Sequence, residues 1–559
     1  MYMNNELFVT RITSSLEKCF ADEAVELHPV LEKASMLRNE RFSFQLVCRD
    51  TRMIHPSAAY TTVEILSPIA EAVTLRTVEQ VATMMPVYAT QHDDDYLRTT
   101  PGLYPDLLLP LRYGGKLRTL PNVTTALWVD VEMEGGLPAG THPITIRLTD
   151  DATGTLLAEE TLTLTVINAD LPAQTTLCTQ WFHADCLSSY YNVEVFSEEH
   201  WRIVENFVRA AAKNGQNMLL TPIVTPPLDT KVGGERPTVQ LLDIALNNGE
   251  YSFGFDKLDR WVDMAHRCGI THFEMAHLFT QWGAAHAPKV MATVDGEYKR
   301  IFGWDTDAVG PEYTAYLNAM LPALIAHLNE LGIADNCVFH ISDEPNPTVM
   351  DAYMAARNIA APLLKGFTVM DALSNVEFYK CGAVEHPIPS TNHIEPFLAE
   401  NIPNLWTYYC CGQHTNVGNR FVAMPAYRSR VLGVQMYKYN IAGFLQWGYN
   451  FYYSQYSCDR LDPYAANDGY GFAPAGDTFI VYPNQDGTPN ATMRLPVFGD
   501  VFQDIRALQL CETLIGRDAV LAMIAEGCDE PLTFASYPRN AAYLLNLREK
   551  VNAAIAAHI

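Results

Sequence analysis

From Thr175 to Tyr449 the chain alternates short β-like runs with amphipathic helices, and this rhythm constrains its fold more than any other feature. The β-like runs fall near 175–182, 217–223, 272–278, 338–343, 366–372, 386–390, 405–410 and 443–449. Helical periodicity lies between most of them, at 198–213, 256–268, 311–332, 348–364, 395–401 and 424–440. A strand followed by a crossover helix returns parallel to itself, so the alternation predicts a parallel sheet. Eight such strands are the count of a (β/α)8 TIM barrel, whose active site is built at the C-terminal ends of the strands. The sixth run, HPIPS, is the weakest of the eight because it is short and broken by proline. Beyond Tyr449 a long aromatic segment to about residue 489 reads as the loop after the last strand, and helices over 494–516 and 538–557 close the chain.

Upstream, from about Glu40 to Ala169, the pattern is different: short runs such as FSFQLVC, YTTVEIL, TALWVDVEM and TLTLTVIN, separated by turn residues. Alternation with regular turns predicts an N-terminal antiparallel β-sandwich. At 559 residues the chain exceeds what one hydrophobic core usually serves. We therefore expect two domains, a sandwich over 1–172 and a barrel with a C-terminal helical extension over 173–559.

The formal net charge of −26 opposes binding to nucleic acid over most of the surface. No stretch approaches the roughly 20 apolar residues that span a bilayer. The opening MYMNNELFVTRITSS lacks a basic segment followed by an apolar one, which points to a cytoplasmic protein with no membrane partner. The 12 cysteines form no CxxC pair and no zinc-spaced cluster with histidine, so neither a metal nor another cofactor is expected. The adjacent Cys410 and Cys411 read as half-buried strand residues. Oligomeric state has no signal in the sequence.

The fourth run ends in His340-Ile341-Ser342-Asp343-Glu344-Pro345. Adjacent carboxylates raise one another's pKa, a cost that becomes useful if one must stay protonated as a general acid. The competing explanation is a helix N-terminus, with Asp343 or Asn346 as cap and Glu344 in the first turn. Glycoside hydrolysis usually takes two carboxylates about 5 to 10 Å apart. In familiar retaining barrels the second follows strand seven, but here that run is Leu405-Trp406-Thr407-Tyr408-Tyr409-Cys410-Cys411, with no carboxylate. A substrate-assisted reaction, in which a 2-acetamido group attacks its own anomeric carbon, needs only the Asp343-Glu344 pair. The absence therefore favours an N-acetylhexosamine substrate. Asp371, ending strand five, stands as the alternative nucleophile, for instance for a β-GlcNAc or β-galactoside enzyme. A non-catalytic carbohydrate-binding protein is the reading from another class. Other strand ends supply Trp181, His183, His277, Trp282, His386, Tyr408, Tyr409, Trp447 and Asn450 as candidates for a sugar pocket, rings against apolar faces and polar groups against hydroxyls.

The segments TQWFHADCLSSYY (179–191), HLFTQWGAAHAPK (277–289), HISDEP (340–345), QWGYNFYYSQY (446–456), GDTFIVYP (476–483) and MRLPVFGDVFQDIRAL (493–508) resemble the bacterial domain of unknown function 4091. That group is similar to glycoside hydrolase family 123, the β-N-acetylgalactosaminidases. The resemblance implies a β-sandwich joined to a (β/α)8 barrel and substrate-assisted retention. It further implies that Asp343 orients and polarises the acetamido group, that Glu344 is the acid/base, and that the partner is a small glycan or glycoconjugate.

Overall fold

A computed structural model describes residues 7–52 and 58–559. Eight parallel strands form a nearly closed ring: β1 (Leu177–Gln180), β2 (Met218–Thr221), β3 (His272–Met275), β4 (Cys337–Phe339), β5 (Thr368–Ala372), β6 (His386–Ile388), β7 (Trp406–Tyr408) and β8 (Gly443–Gln446). One ladder joins β2 through β6 and another joins β1, β8 and β7. The β6/β7 seam is bridged where the Tyr408 amide donates to Pro389 O at 3.1 Å and the Thr391 amide donates to Tyr408 O at 2.9 Å. The β1/β2 seam is stitched mainly by side chains, with Asn217 Oδ1 accepting the Cys178 amide (2.8 Å) and Gln216 Nε2 donating to Gln180 O (3.1 Å).

The strands are short, apolar runs because both their faces are covered. Successive side chains alternate between the barrel interior and the helical jacket. In β2, Met218 and Leu220 join an interior cluster with Val338, Met370, Ile388, Trp406 and Leu445, while Leu219 joins the outer core with Trp261, Leu317 and Leu321. Gly443 is required at this level, since a Cβ there would lie 2.2 Å from the Trp406 ring.

Helices occupy 198–213, 256–268, 311–330, 350–360, 395–399 and 427–438, within a few residues of the sequence reading. Three features depart from it. A helix at Ala184–Tyr191 follows β1 directly, a four-stranded sheet (243–247, 250–254, 290–294, 297–302) is inserted in the loops after β2 and β3, and the helix Arg494–Ile515 breaks at Gly516 before a second helix, Arg517–Ala525. Gly516 has a φ of 85°, which ends one helix and lets the next leave in a new direction.

The β-rich N-terminal region holds two five-stranded sheets. Phe44, Leu46 and Val129 of one share a buried core with Ile144, Ile146 and Leu164 of the other. Pairing is antiparallel except where Lys33–Leu37 runs parallel to Leu156–Ile167. The last strand of this region ends at Ile167 and the first barrel strand begins at Leu177. The region is tied to the barrel by a buried pair, Arg494 Nε to Asp106 Oδ1 at 2.7 Å, and by Lys18 Nζ donating to Val422 O at 2.7 Å. Among the described residues, no helix is long and apolar enough to cross a membrane.

Candidate active site

The loops at the C-terminal ends of the strands enclose a cavity of about 190 Å³. Asp343 and Glu344 lie in its wall, beyond the end of β4. They do not cap the following helix: Asn346 does, its side chain accepting the Thr348 amide at 3.0 Å. Glu344 instead sits in the left-handed region, with φ 43°, a conformation that costs a non-glycine residue about 1 to 3 kcal/mol and clusters at functional sites. Its amide donates to Ala372 O at 3.1 Å, and the Tyr408 hydroxyl donates to its Oε1 at 2.5 Å. Tyr408 thus stands at the end of β7, where a carboxylate nucleophile stands in double-displacement barrels. Burial and the adjacent Glu344 charge push the Asp343 carboxyl well above the usual carboxylate range, while the His340 charge beneath offsets part of this.

Four more of the residues singled out from sequence line the cavity: Trp181, Trp282, Tyr408 and Trp447. The Trp447 indole donates to Asp477 Oδ2 at 2.9 Å and packs on Phe451 and Phe472, ring centroids 4.9 and 6.0 Å away. Gly448 permits this arrangement, because a Cβ there would lie 2.4 Å from Thr478 O and drive the Asp477 loop away. Burial lifts the Asp477 carboxyl to about 7, with Arg420 holding it from rising further.

The remaining six do not line the cavity. His183 is buried, its Nε2 2.9 Å from Trp447 O and its Nδ1 3.0 Å from Arg236. Burial and the Arg236 charge push its pKa down to about 3, so the ring is neutral, donating to Trp447 O and accepting from Arg236. Asn450 is buried and clasps the His183 backbone, accepting its amide at 2.9 Å and donating to its carbonyl at 3.2 Å. Tyr409 alternates with Tyr408 and so faces the opposite way, its ring 4.8 Å from Phe444 in the core. His386 opens β6 at its N-terminal end, away from the mouth, because it is the first residue of the strand and the active-site loops leave from the other end.

His277 and Asp371 belong to a polar layer inside the barrel beneath the cavity. At its centre, Glu274 accepts from Thr179 Oγ1 (2.6 Å) and Trp181 Nε1 (2.8 Å) and lies 2.7 Å from His340 Nε2. Asp371 lies 3.3 Å from His340 Nδ1 and accepts from the Ile341 amide (3.0 Å) and the Tyr353 hydroxyl. Burial would lower the His340 pKa, but the hydrogen bonds and charges of Asp371 and Glu274 override it and raise it to about 10. Donor atoms of His277, His340 and Asp371 lie within 4.8 Å of one another, as a metal site would require. The two imidazoles stack instead, centroids 4.4 Å apart at 23°, which sets their in-plane lone pairs side by side rather than converging. The donor set suits a protonated histidine held between two carboxylates better than a cation.

Asp371 is therefore withdrawn from the cavity and built into the support of β4. Asp371→Asn is expected to destabilise the protein by about 3 to 5 kcal/mol, the cost of breaking a buried ion pair, read as a lower melting temperature. A variant with unchanged melting temperature and no turnover would instead put Asp371 in the chemistry.

Several lining residues were not singled out from sequence: Asp229, after β2; Cys410 and Cys411, which leave the strand in a turn closed by the Gln413 amide on Cys410 O at 3.2 Å; and Tyr456 and Phe472, after β8. Tyr456 lay in a segment already noted, QWGYNFYYSQY, and Cys410 and Cys411 in the run of strand seven, where they were read as half-buried strand residues. Glu274 carried a signal too, as a lone acid inside an apolar barrel strand.

The family model described as glycoside hydrolase 123, catalytic domain, matches residues 181–511, more than half of the chain. Among solved structures, a family 123 glycoside hydrolase from Clostridium perfringens, reported for glycolipid glycan hydrolysis, superposes with a TM-score of 0.75 at 14% identity over 98% of each chain. A Bacteroides uniformis β-glucuronidase 2 matches 81% of this chain and 48% of its own at 10% identity, with a TM-score of 0.28, too low to indicate a shared fold. No curated protein matches by sequence. On the family match, with a barrel whose mouth carries adjacent carboxylates among aromatic rings, the chain belongs to glycoside hydrolase family 123 and is a glycoside hydrolase.

Proposed function

We propose that the enzyme releases terminal N-acetylhexosamine, β-N-acetylgalactosamine above all, with retention of configuration by substrate-assisted catalysis. The observation that carries this reading is the composition of the cavity wall: Asp343 and Glu344 side by side, a tyrosine at the end of β7, and Asp371 turned into the barrel. Asp343 accepts the acetamide N–H and favours the orientation in which the amide oxygen attacks the anomeric carbon. Glu344 protonates the departing oxygen and then removes a proton from the water that opens the oxazoline. An acetamide N–H donated to Asp343 stabilises its anion, and that negative charge favours the proton on the adjacent Glu344 as the substrate seats. The glycolipid glycans named for the Clostridium enzyme are substrates to try alongside simple glycosides.

Nitrophenyl glycosides of GalNAc, GlcNAc, Gal and Glc test the reading. Turnover is expected for the acetamido sugars, fastest for GalNAc, and comparable hydrolysis of the galactoside would overturn it. Double displacement would then require Asp229, the other carboxylate in the cavity, as nucleophile.

The aromatic wall gives a separate expectation. Trp447→Ala should lower kcat/KM by about 10² or more, because a ring that orients the sugar also holds the acetamido oxygen near the anomeric carbon. A fully active variant with a lowered melting temperature would show that Trp447 is packing alone.

A further inference from the structure

The proposed steps use two carboxylates, yet the cavity carries three. Asp229 lies in the loop after β2 in a left-handed conformation, φ 39°, which side chains adopt only where their surroundings hold them there. Those surroundings come from across the mouth, in the loop after β8. The Tyr456 amide donates to Asp229 Oδ2 at 3.0 Å, the Ser457 hydroxyl donates to the Asp229 carbonyl at 2.7 Å, and the Lys231 amide donates to Tyr456 O at 2.9 Å. One carboxylate oxygen is thereby anchored. The other, Oδ1, has no protein donor among the described residues, and the side chain lines the cavity.

The rest of the lining consists of rings, aliphatic groups, amides, thiols and the catalytic pair, and among the described residues it includes no lysine, arginine or histidine. Of the cations nearby, Arg236 pairs with Asp185 at 2.7 Å and His340 lies between Glu274 and Asp371, while Lys231, two residues on from Asp229, is exposed and does not line the cavity. A sugar hydroxyl meeting Oδ1 gains a charge-assisted hydrogen bond. A sulfate, phosphate or carboxylate entering the same half-open space meets like charges and no counter-ion in the wall, a repulsion that solvent at the mouth screens only in part. Discrimination of this kind works by repelling the wrong partner as much as by attracting the right one.

We propose that Asp229 is a specificity-determining residue that accepts hydroxyls of the bound sugar through Oδ1 and, with the catalytic pair, restricts the cavity to uncharged sugars, excluding sulfated, phosphorylated and uronic residues. The assignment rests on the N-acetylhexosaminidase reading for the identity of the sugar, but the charge rule holds for any sugar in this cavity.

The test is binding, followed by tryptophan fluorescence, of N-acetylgalactosamine and its 6-sulfate to the wild-type protein and to Asp229→Asn. Asparagine keeps an oxygen for the Tyr456 amide, and an unchanged melting temperature checks that the loop tie survives. The wild-type protein is expected to bind the neutral sugar at least about 10²-fold more tightly than the sulfate, and Asp229→Asn to weaken the neutral sugar about tenfold while narrowing that ratio. Equal binding of the two sugars by the wild-type protein, or an Asp229→Asn ratio equal to wild type, would overturn the proposal and leave Asp229 as a loop tie only. If N-acetylgalactosamine does not bind, the same comparison is made with N-acetylglucosamine and galactose and their 6-sulfates. A preserved neutral-over-sulfate ratio there would sustain the charge rule while removing the substrate named above, and binding of none of the three neutral sugars would overturn both.

Discussion

Glu344→Gln is expected to lower kcat/KM by about 10²- to 10⁴-fold on alkyl and sugar glycosides, the range lost with a general acid, and by far less on nitrophenyl glycosides whose leaving group needs little protonation. The fold should survive. The change is isosteric, and Glu344 sits in the cavity wall rather than in the core, where Tyr408 can still donate to the amide oxygen at Oε1. Two features of the site support the acid/base assignment over a purely electrostatic one. The side chain is presented from a strained backbone position that only its neighbours maintain, and it stands beside the Asp343 carboxyl, which burial and the Glu344 charge raise well above the usual carboxylate range. Rates with good and poor leaving groups that fall together would remove Glu344 from proton transfer, and a lowered melting temperature would make the loss structural.

Asp343→Asn is expected to slow all leaving groups alike, by about 10² to 10³, the scale of losing one charge that stabilises the transition state. Oxazoline formation places positive charge on the acetamido group, and an amide in place of the carboxylate neither balances that charge nor accepts the N–H as strongly. The contrast with Glu344→Gln is the diagnostic feature, since one variant discriminates among leaving groups and the other does not. A thiazoline that mimics the cyclised intermediate should inhibit the wild-type enzyme and bind Asp343→Asn more weakly. Wild-type turnover by Asp343→Asn would exclude it from the reaction.

The barrel was legible in the sequence because its strands are buried on both faces, so each reads as an apolar run set between helices, as in MLLT of β2 or GFLQ of β8. The mouth was legible only in part. Trp181, Tyr408 and Trp447 line the cavity from strand ends and Trp282 from the loop after β3, whereas His183, His277, Asp371 and Asn450, also close to strand ends, are spent on holding neighbouring elements. Residue type and position along a strand do not tell which side of a β–loop junction a side chain takes. Tyr408 and Tyr409 make the point, since one residue's difference sends the first ring to Glu344 and the second to Phe444. Asp229 and Phe472 were missed for another reason. They reach the cavity from long loops, and only the fold brings residues 229 and 456 into hydrogen-bond contact. The sheet inserted between 243 and 302 was hidden because its hairpins interrupt the strand-helix rhythm without matching its spacing.

The central claim, that the substrate's own acetamido group is the nucleophile, is tested most directly by varying that group. Nitrophenyl glycosides of N-acetylgalactosamine and its mono-, di- and trifluoroacetamido analogues share ring, linkage and leaving group, while fluorine progressively withdraws electrons from the attacking oxygen. Substrate assistance predicts that kcat/KM falls steeply and monotonically through the series, and by a similar proportion in Trp447→Ala. A rate independent of fluorination would contradict the account and assign the attack to a carboxylate of the protein.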